Sequence, residues 1–195
     1  MNFQGKTKIT IPFLLPFSIF NFITITIFNY LYFNFQRMKL DSFVDIDNYF
    51  YPLDRINYWN RLYGVNGFIQ YQFVLPKKTS YEGLKEICNY LITKKLIPFL
   101  PVLKYFSKDD IGILSFPLNG FTLAMDFPDT KKTRNVLNHL DKIVIHHGGR
   151  VYLTKDSRLN KKNFSIMYKE ELKKFKNNRY FSPLDFSSSQ SERLF

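Results

Sequence analysis

Residues 68–94 read FIQYQFVLPKKTSYEGLKEICNYLITK, a strand handing over to a helix. The first eight residues are rich in β-branched and aromatic side chains, and Pro76 with two lysines ends the run. Gln70 and Gln72 alternate with Ile69, Tyr71 and Phe73, so the two amides share one face of the strand. Thr79 and Glu82 have the spacing of a helix capping box. Leu84, Ile87, Cys88, Leu91 and Ile92 then recur at helical spacing. The pattern predicts an amphipathic helix over residues 81–94, with Cys88 as a packed core thiol.

Downstream, residues 99–106, 111–117 and 121–127 read as strands, the last two joined by a turn at Leu118, Asn119 and Gly120. Asp129 or Thr130 caps a second helix whose apolar stripe is Val136, Leu137, Leu140, Ile143 and Val144. His146-His147-Gly148-Gly149 ends that helix with glycine at the C′ position. Residues 150–154 return as a strand. Strand, helix, three strands, helix, strand is close to the split βαβ pattern. The expected class is α+β: an antiparallel sheet with two helices on one face (ferredoxin-like). An apolar covering segment (residues 1–45) precedes the domain (46–175), and a helical tail (176–195) follows it.

Residues 9–36 carry no charge, and lysines and arginine flank them, so a membrane span is one reading of this run. Pro12, Pro16, Asn21, Asn29 and Asn34 argue for the other, a covering segment, because each is costly in hydrocarbon. No small-x-small cleavage site follows, which disfavours a cleaved signal peptide.

Composition narrows the function classes. A single cysteine excludes an internal disulfide framework and a multi-cysteine zinc site. With only 8 glycines the chain has neither GxGxxG nor GxxxxGK[ST], so it does not hold a nucleotide pyrophosphate by those devices. The net charge is +12, and aromatic residues make up 18% of the chain. Lysine-rich coding bias accounts for that charge as readily as a nucleic-acid footprint does. No RNP-like or zinc-knuckle pattern accompanies the aromatics, so no nucleic-acid partner is expected.

Few residues suggest chemistry on their own. His146 and His147 are adjacent, diverge around a helix and have no nearby acid in sequence to complete a metal set, so no metal is expected. His139 has no evident partner, and Asp109-Asp110 reads as loop solvation. Gln70 and Gln72 suit either a polar-lined pocket or a solvent face. Thr154-Lys155-Asp156-Ser157-Arg158 is the densest polar cluster and follows a strand end, where site residues are often carried. A lysine there can stabilise a developing anion.

Longer motifs carry a resemblance. PLDRINYWNRLYGVNGFIQYQFVLP (52–76), LSFP (114–117), GFTLAMDFP (120–128), GGRVYLTKDSR (148–158) and FSSSQSERL (186–194) occur in one order. The apolar start KITIPFLLPFSIFNFITITIFNYLYF (8–33) precedes them. Together they resemble the C-terminal substrate domain of FAD-linked oxidoreductases of the decaprenylphosphoryl-ribose oxidase and aldonolactone oxidase type, within the vanillyl-alcohol-oxidase superfamily. The resemblance favours the covering role for residues 9–36. The alternative is a membrane-anchored, non-enzymatic fragment that uses those residues as a span.

The resemblance implies oxidation of a sugar hydroxyl by hydride transfer to flavin, with FAD as cofactor and Lys155 as the catalytic residue at the flavin. Tyr152 would also touch the flavin. Gln70, Gln72, Phe50, Leu53, Leu100, Val102, Lys104, Thr122 and Ala124 fall on substrate-lining positions. Position 124 is alanine where well-known members carry cysteine, and Phe50 stands where they carry tyrosine, which puts substrate identity in doubt. The family's glycine-rich FAD domain has no counterpart in these 195 residues. A split gene, a decayed gene or a late start would each explain that, and the isolated chain is expected to be inactive. Implied partners are a separate FAD-domain chain, a short-chain reductase acting on the keto product and a sugar or lipid-linked sugar substrate. The implied location is cytoplasmic, at most peripheral to the inner membrane face.

Overall fold

The computed structural model describes residues 9–38, 43, 46, 55–108, 112–177 and 187–195. Contacts divide the chain into two units, Met1–Phe68 and Ile69–Phe195.

In the first unit, β1 (Ile9–Thr10) pairs in parallel with β2 (Ile56–Asn57). Arg61 Nη1 extends the link by donating to the carbonyls of Ile11 and Pro12 at 2.8 and 3.0 Å. Helix α1 (Phe22–Arg37) starts on a true capping box, with Asn21 accepting from Thr24 N–H and Thr24 reaching back to the Asn21 N–H. At 16 residues it is about 24 Å long, short of the ~30 Å hydrocarbon layer. Pro12 and Pro16 precede it, where their missing N–H groups cost no helical bond. Among the described residues no helix is long and apolar enough to cross a membrane.

The second unit is the α+β domain. Its strands β3 (Phe68–Pro76), β4 (Val102–Phe106), β5 (Gly120–Pro128) and β6 (Arg150–Val151) lie in the order β4-β5-β3-β6. Helix α2 (Ser80–Thr93) links β3 to β4, and α3 (Lys131–His146) links β5 to β6. Both outer pairings are antiparallel, with Val102 opposite Ala124 and Phe73 opposite Val151. Between β3 and β5, Leu75 meets Gly120 and Gln72 meets Thr122, so that pair is antiparallel too. This is the split βαβ arrangement. Gly120 is required there, because a Cβ would stand 1.9 Å from the Leu75 carbonyl oxygen.

Alternation sorts the sheet. Ile69, Tyr71, Phe73 and Leu75 of β3 and Leu123, Met125 and Phe127 of β5 join the core with Ile87 and Leu91 of α2 and the full predicted stripe of α3. Thr130 caps α3 by accepting from Thr133 N–H. The helix ends in a Schellman motif: Gly149 N–H bonds the Val144 carbonyl, Gly148 N–H bonds that of Ile145, and Gly148 has φ +71°. Helices α4 (Lys161–Met167), α5 (Lys169–Lys176) and α6 (Ser189–Leu194) follow, the last burying Leu194.

Several expectations are corrected. Residues 112–117 form bends and turns in place of a strand, and the strand expected over 150–154 stops at Val151 and becomes a 3₁₀ turn, Leu153–Lys155. The strand expected from residue 99 begins at Val102. Thr79 forms no capping box; its hydroxyl donates instead to the His147 carbonyl at 2.7 Å, tying the start of α2 to the end of α3. Cys88 and Ile92 are exposed, because the buried face of α2 runs through Gly83, Ile87 and Leu91. Asp109 and Asp110 lie outside the described residues.

One buried ion pair ties these layers together. Arg158 donates through Nη1 and Nη2 to both carboxylate oxygens of Asp141 on α3, at 2.7 and 2.6 Å. Tyr71 of β3 donates to the same carboxylate at 2.9 Å, and the guanidinium lies over the Tyr71 ring. Burial, together with the Asp141 charge, holds the Tyr71 hydroxyl well above its ordinary pKa. Removing one partner strands the other charge in the core. Arg158→Met is expected to cost about 3–5 kcal/mol in urea unfolding, and Arg158→Met combined with Asp141→Leu to recover most of it.

Candidate functional site

The sheet face opposite the core is polar. Gln70 and Gln72 of β3 share it with Thr122, Ala124 and Asp126 of β5. Directly opposed residues of an antiparallel pair point the same way, so Val102 and Lys104 of β4, opposite Ala124 and Thr122, belong to it as well. Gln72 Nε2 donates to Thr122 Oγ1 at 3.1 Å. Gln70 lies close enough to the Asp126 carboxylate to pull its pKa down. Both glutamines are half-buried.

A cleft of about 460 Å³ opens beside Gln72, lined by Phe106, Ser115, Phe116, Tyr152 and Thr154 among others. Tyr152 is placed there by its backbone, whose N–H bonds the Gln72 carbonyl at 2.8 Å. Its ring stacks on Phe116 with centroids 4.5 Å apart, which makes an aromatic wall. Ser115 is buried, and its hydroxyl has no hydrogen-bond partner among the described residues. Its carbonyl accepts from Arg150, which also pairs with Glu171 at 2.7 Å and sits over the Tyr168 ring.

The 154–158 cluster divides by role. Arg158 is spent on Asp141. Asp156 accepts from the N–H groups of Arg158 and Leu159 and pairs with Arg193 at 2.9 Å. Gln190 donates to the Leu153 carbonyl at 2.6 Å. These bonds fix the turn from several sides and leave Lys155 at its end, exposed, its N–H bonded to the Tyr152 carbonyl at 3.2 Å and its ammonium in no hydrogen bond or ion pair among the described residues. Gln190 and Arg193 carry no chemical signal in sequence, and only the FSSSQSERL motif pointed towards them.

Leu100 is half-buried just before β4. Phe50 and Leu53 lie outside the described residues. His139 does have a partner, since it stacks on Tyr90 with centroids 4.2 Å apart. His147 is no solvated helix end: it meets Glu86 of α2 at 2.8 Å, an acid that spacing along the chain did not reveal. Among the described residues no group of three or more His, Cys, Asp or Glu could hold a metal ion.

Against known proteins, no family model matches the chain. Curated relatives do. Decaprenylphosphoryl-beta-D-ribose oxidase of Mycolicibacterium smegmatis is 32% identical over 168 residues. That alignment takes in 86% of this chain but 36% of the relative, so the chain spans about a third of the protein it matches. The similarity supports the resemblance carried by the motifs.

The clamp on the Lys155 turn is measurable. Arg193→Ala removes a charge-assisted bond worth about 1.5 kcal/mol or more. Amide hydrogen exchange across residues 153–159 is expected to speed up about tenfold while β3 amides keep their protection.

Proposed function

We propose that this chain is the substrate-facing part of an FAD-dependent oxidoreductase that oxidises a sugar hydroxyl, on a lipid-phosphate-linked pentose or an aldonolactone. The observation that carries the reading is positional. Gln70, Gln72, Val102, Lys104, Thr122 and Ala124 occupy one sheet face, and a clamped turn holds Lys155 beside it. The name of the similar protein, an oxidase of a ribose derivative, points to the same substrate class.

The residues fit the ring end of a flavin. Phe116 and Tyr152 offer a stacked aromatic wall, and Ser115 lines the same cleft. When bound, a flavin supplies the hydride acceptor. This chain's own residues would do the rest. The Gln72–Thr122 pair presents amide and hydroxyl groups to sugar hydroxyls. The Lys155 ammonium stabilises negative charge developing on the flavin carbonyl edge or on the reacting hydroxyl oxygen. Ala124 leaves room on the floor between Val102 and Thr122. The charge of +12 favours a phosphorylated substrate or an anionic lipid surface.

A flavin-binding region, on this polypeptide or on a separate chain, completes the enzyme in this reading, and a short-chain reductase is the partner that consumes the keto product. The test is complementation. The chain is co-expressed with the FAD-binding part of the similar oxidase, and dye reduction is followed with a decaprenyl-phosphate-linked ribose. Turnover is expected in the pair and not in either half, with Lys155→Ala losing about 10²-fold or more in kcat. Near wild-type turnover in that variant would remove Lys155 from the mechanism. A purified chain carrying stoichiometric flavin by itself would contradict the need for a second part.

A further inference from the structure

Asp126 is the charged residue of the polar face that this reading leaves unused. It is only 6% exposed. Gln70 lies beside its carboxylate, yet Oδ1 is buried with no hydrogen-bond partner among the described residues. A buried carboxylate oxygen without a donor is costly, so a stable fold has no reason of its own to keep it.

The topology points to a donor. The β3–β6 register pairs Phe73 with Val151, and the Tyr152 N–H on the Gln72 carbonyl continues it. The turn that follows therefore leaves the sheet alongside Gln70, and Asp126 lies on the next strand beyond Gln70. Two strand spacings of about 4.8 Å separate the turn from β5, a gap that a lysine and an aspartate reaching towards each other can span. The Lys155 ammonium stands at the end of that turn with no ion pair among the described residues, near enough to Asp126 to pull its carboxyl pKa down. Lys104 of β4 faces the same side but sits opposite Thr122, four residues along β5 from Asp126.

We propose that Asp126 is a positioning residue: its open Oδ1 seats the Lys155 ammonium, so that Gln70, Asp126 and Lys155 form one chain that sets where the amine stands at the site. The pair itself is a property of this chain. Only the purpose of the amine rests on the sugar-oxidation reading. Burial raises the Asp126 carboxyl above the ordinary carboxylate range, with Gln70 and Lys155 pulling it back down. An approaching ammonium is what such a carboxylate lacks.

The experiment uses the full chain without sugar or flavin. The lysine side chains are labelled, and the Lys155 signals are compared by NMR between the wild type and Asp126→Asn. The Lys155 ammonium protons are expected to exchange with water about tenfold faster in the variant, while those of Lys104 are unchanged. In the converse variant, Lys155→Met, the Asp126 carboxyl is expected to titrate higher than in the wild type. Lys155 is exposed, so this second variant keeps its fold even if Asp126→Asn does not. Unchanged ammonium exchange of Lys155 in Asp126→Asn, or unchanged titration of Asp126 in Lys155→Met, would overturn the pairing. Loss of turnover in the complementation assay with the pairing intact would instead sink the sugar-oxidation reading alone.

Discussion

The bidentate contact between Arg158 and Asp141 is the constraint on which the rest of the second unit depends. It joins three parts: α3, through Asp141; β3, through the Tyr71 hydroxyl; and the segment after β6, through Arg158 itself. Both partners are almost fully buried, at 5% and 0% side-chain exposure. Such a pair adds little net stability over an apolar equivalent, because desolvating two charges offsets most of their attraction. It adds geometry. An arginine fork that must meet a carboxylate at two points fixes the course of the chain three residues after Lys155.

Around that anchor the sheet divides its labour by alternation. The odd-numbered residues of β3 and β5 face the helices and are nearly all apolar. The even-numbered ones include Gln70, Gln72, Thr122 and Asp126. A purely structural two-layer domain could leave its second face to solvent and fill it with exposed polar groups. Here Thr122 is 1% exposed and Asp126 6% exposed, so the polar groups are buried as well. Buried polar residues in mutual hydrogen bonds make a shaped floor, and a floor of this kind suits a hydroxyl-rich ligand better than it suits bulk water.

Much of the fold was legible because its signals are local. The α3 stripe, the Thr130 cap, the glycine stop and the β3 alternation each depend on residues within a few positions of one another. The misreadings came where tertiary contacts override local pattern. Thr79 has capping-box spacing, but the His147 carbonyl competes for its hydroxyl. Ile92 and Cys88 lie near the helical stripe yet face out, since the contact surface follows Gly83, Ile87 and Leu91. Residues 113–116 read as strand formers, but Pro117 and the Arg150 bond to the Ser115 carbonyl hold them in turns. In the site, Gln70 and Gln72 were visible from alternation. Asp126 was not, because its significance lies in burial and in an absent partner, neither of which spacing reports.

Native folds leave few buried polar atoms unpaired, so where those atoms fall is informative. Arg150 and Arg158 each have a buried Nε without a partner among the described residues, but each guanidinium is anchored by an ion pair through Nη1. Ser115 Oγ and Asp126 Oδ1 have no such compensation within the side chain's own ion pair. The first lines the cleft that Tyr152 and Phe116 wall, and the second sits on the polar face approached by Lys155. Among the described residues of the second unit, the two unpaired atoms outside arginine forks therefore fall where the motifs place the chemistry. Sites that bind and react tend to break local rules that the surrounding scaffold keeps. That contrast, between a clamped turn with every anchor paired and a floor with oxygens left open, is the physical argument that this half of the molecule was shaped to receive something.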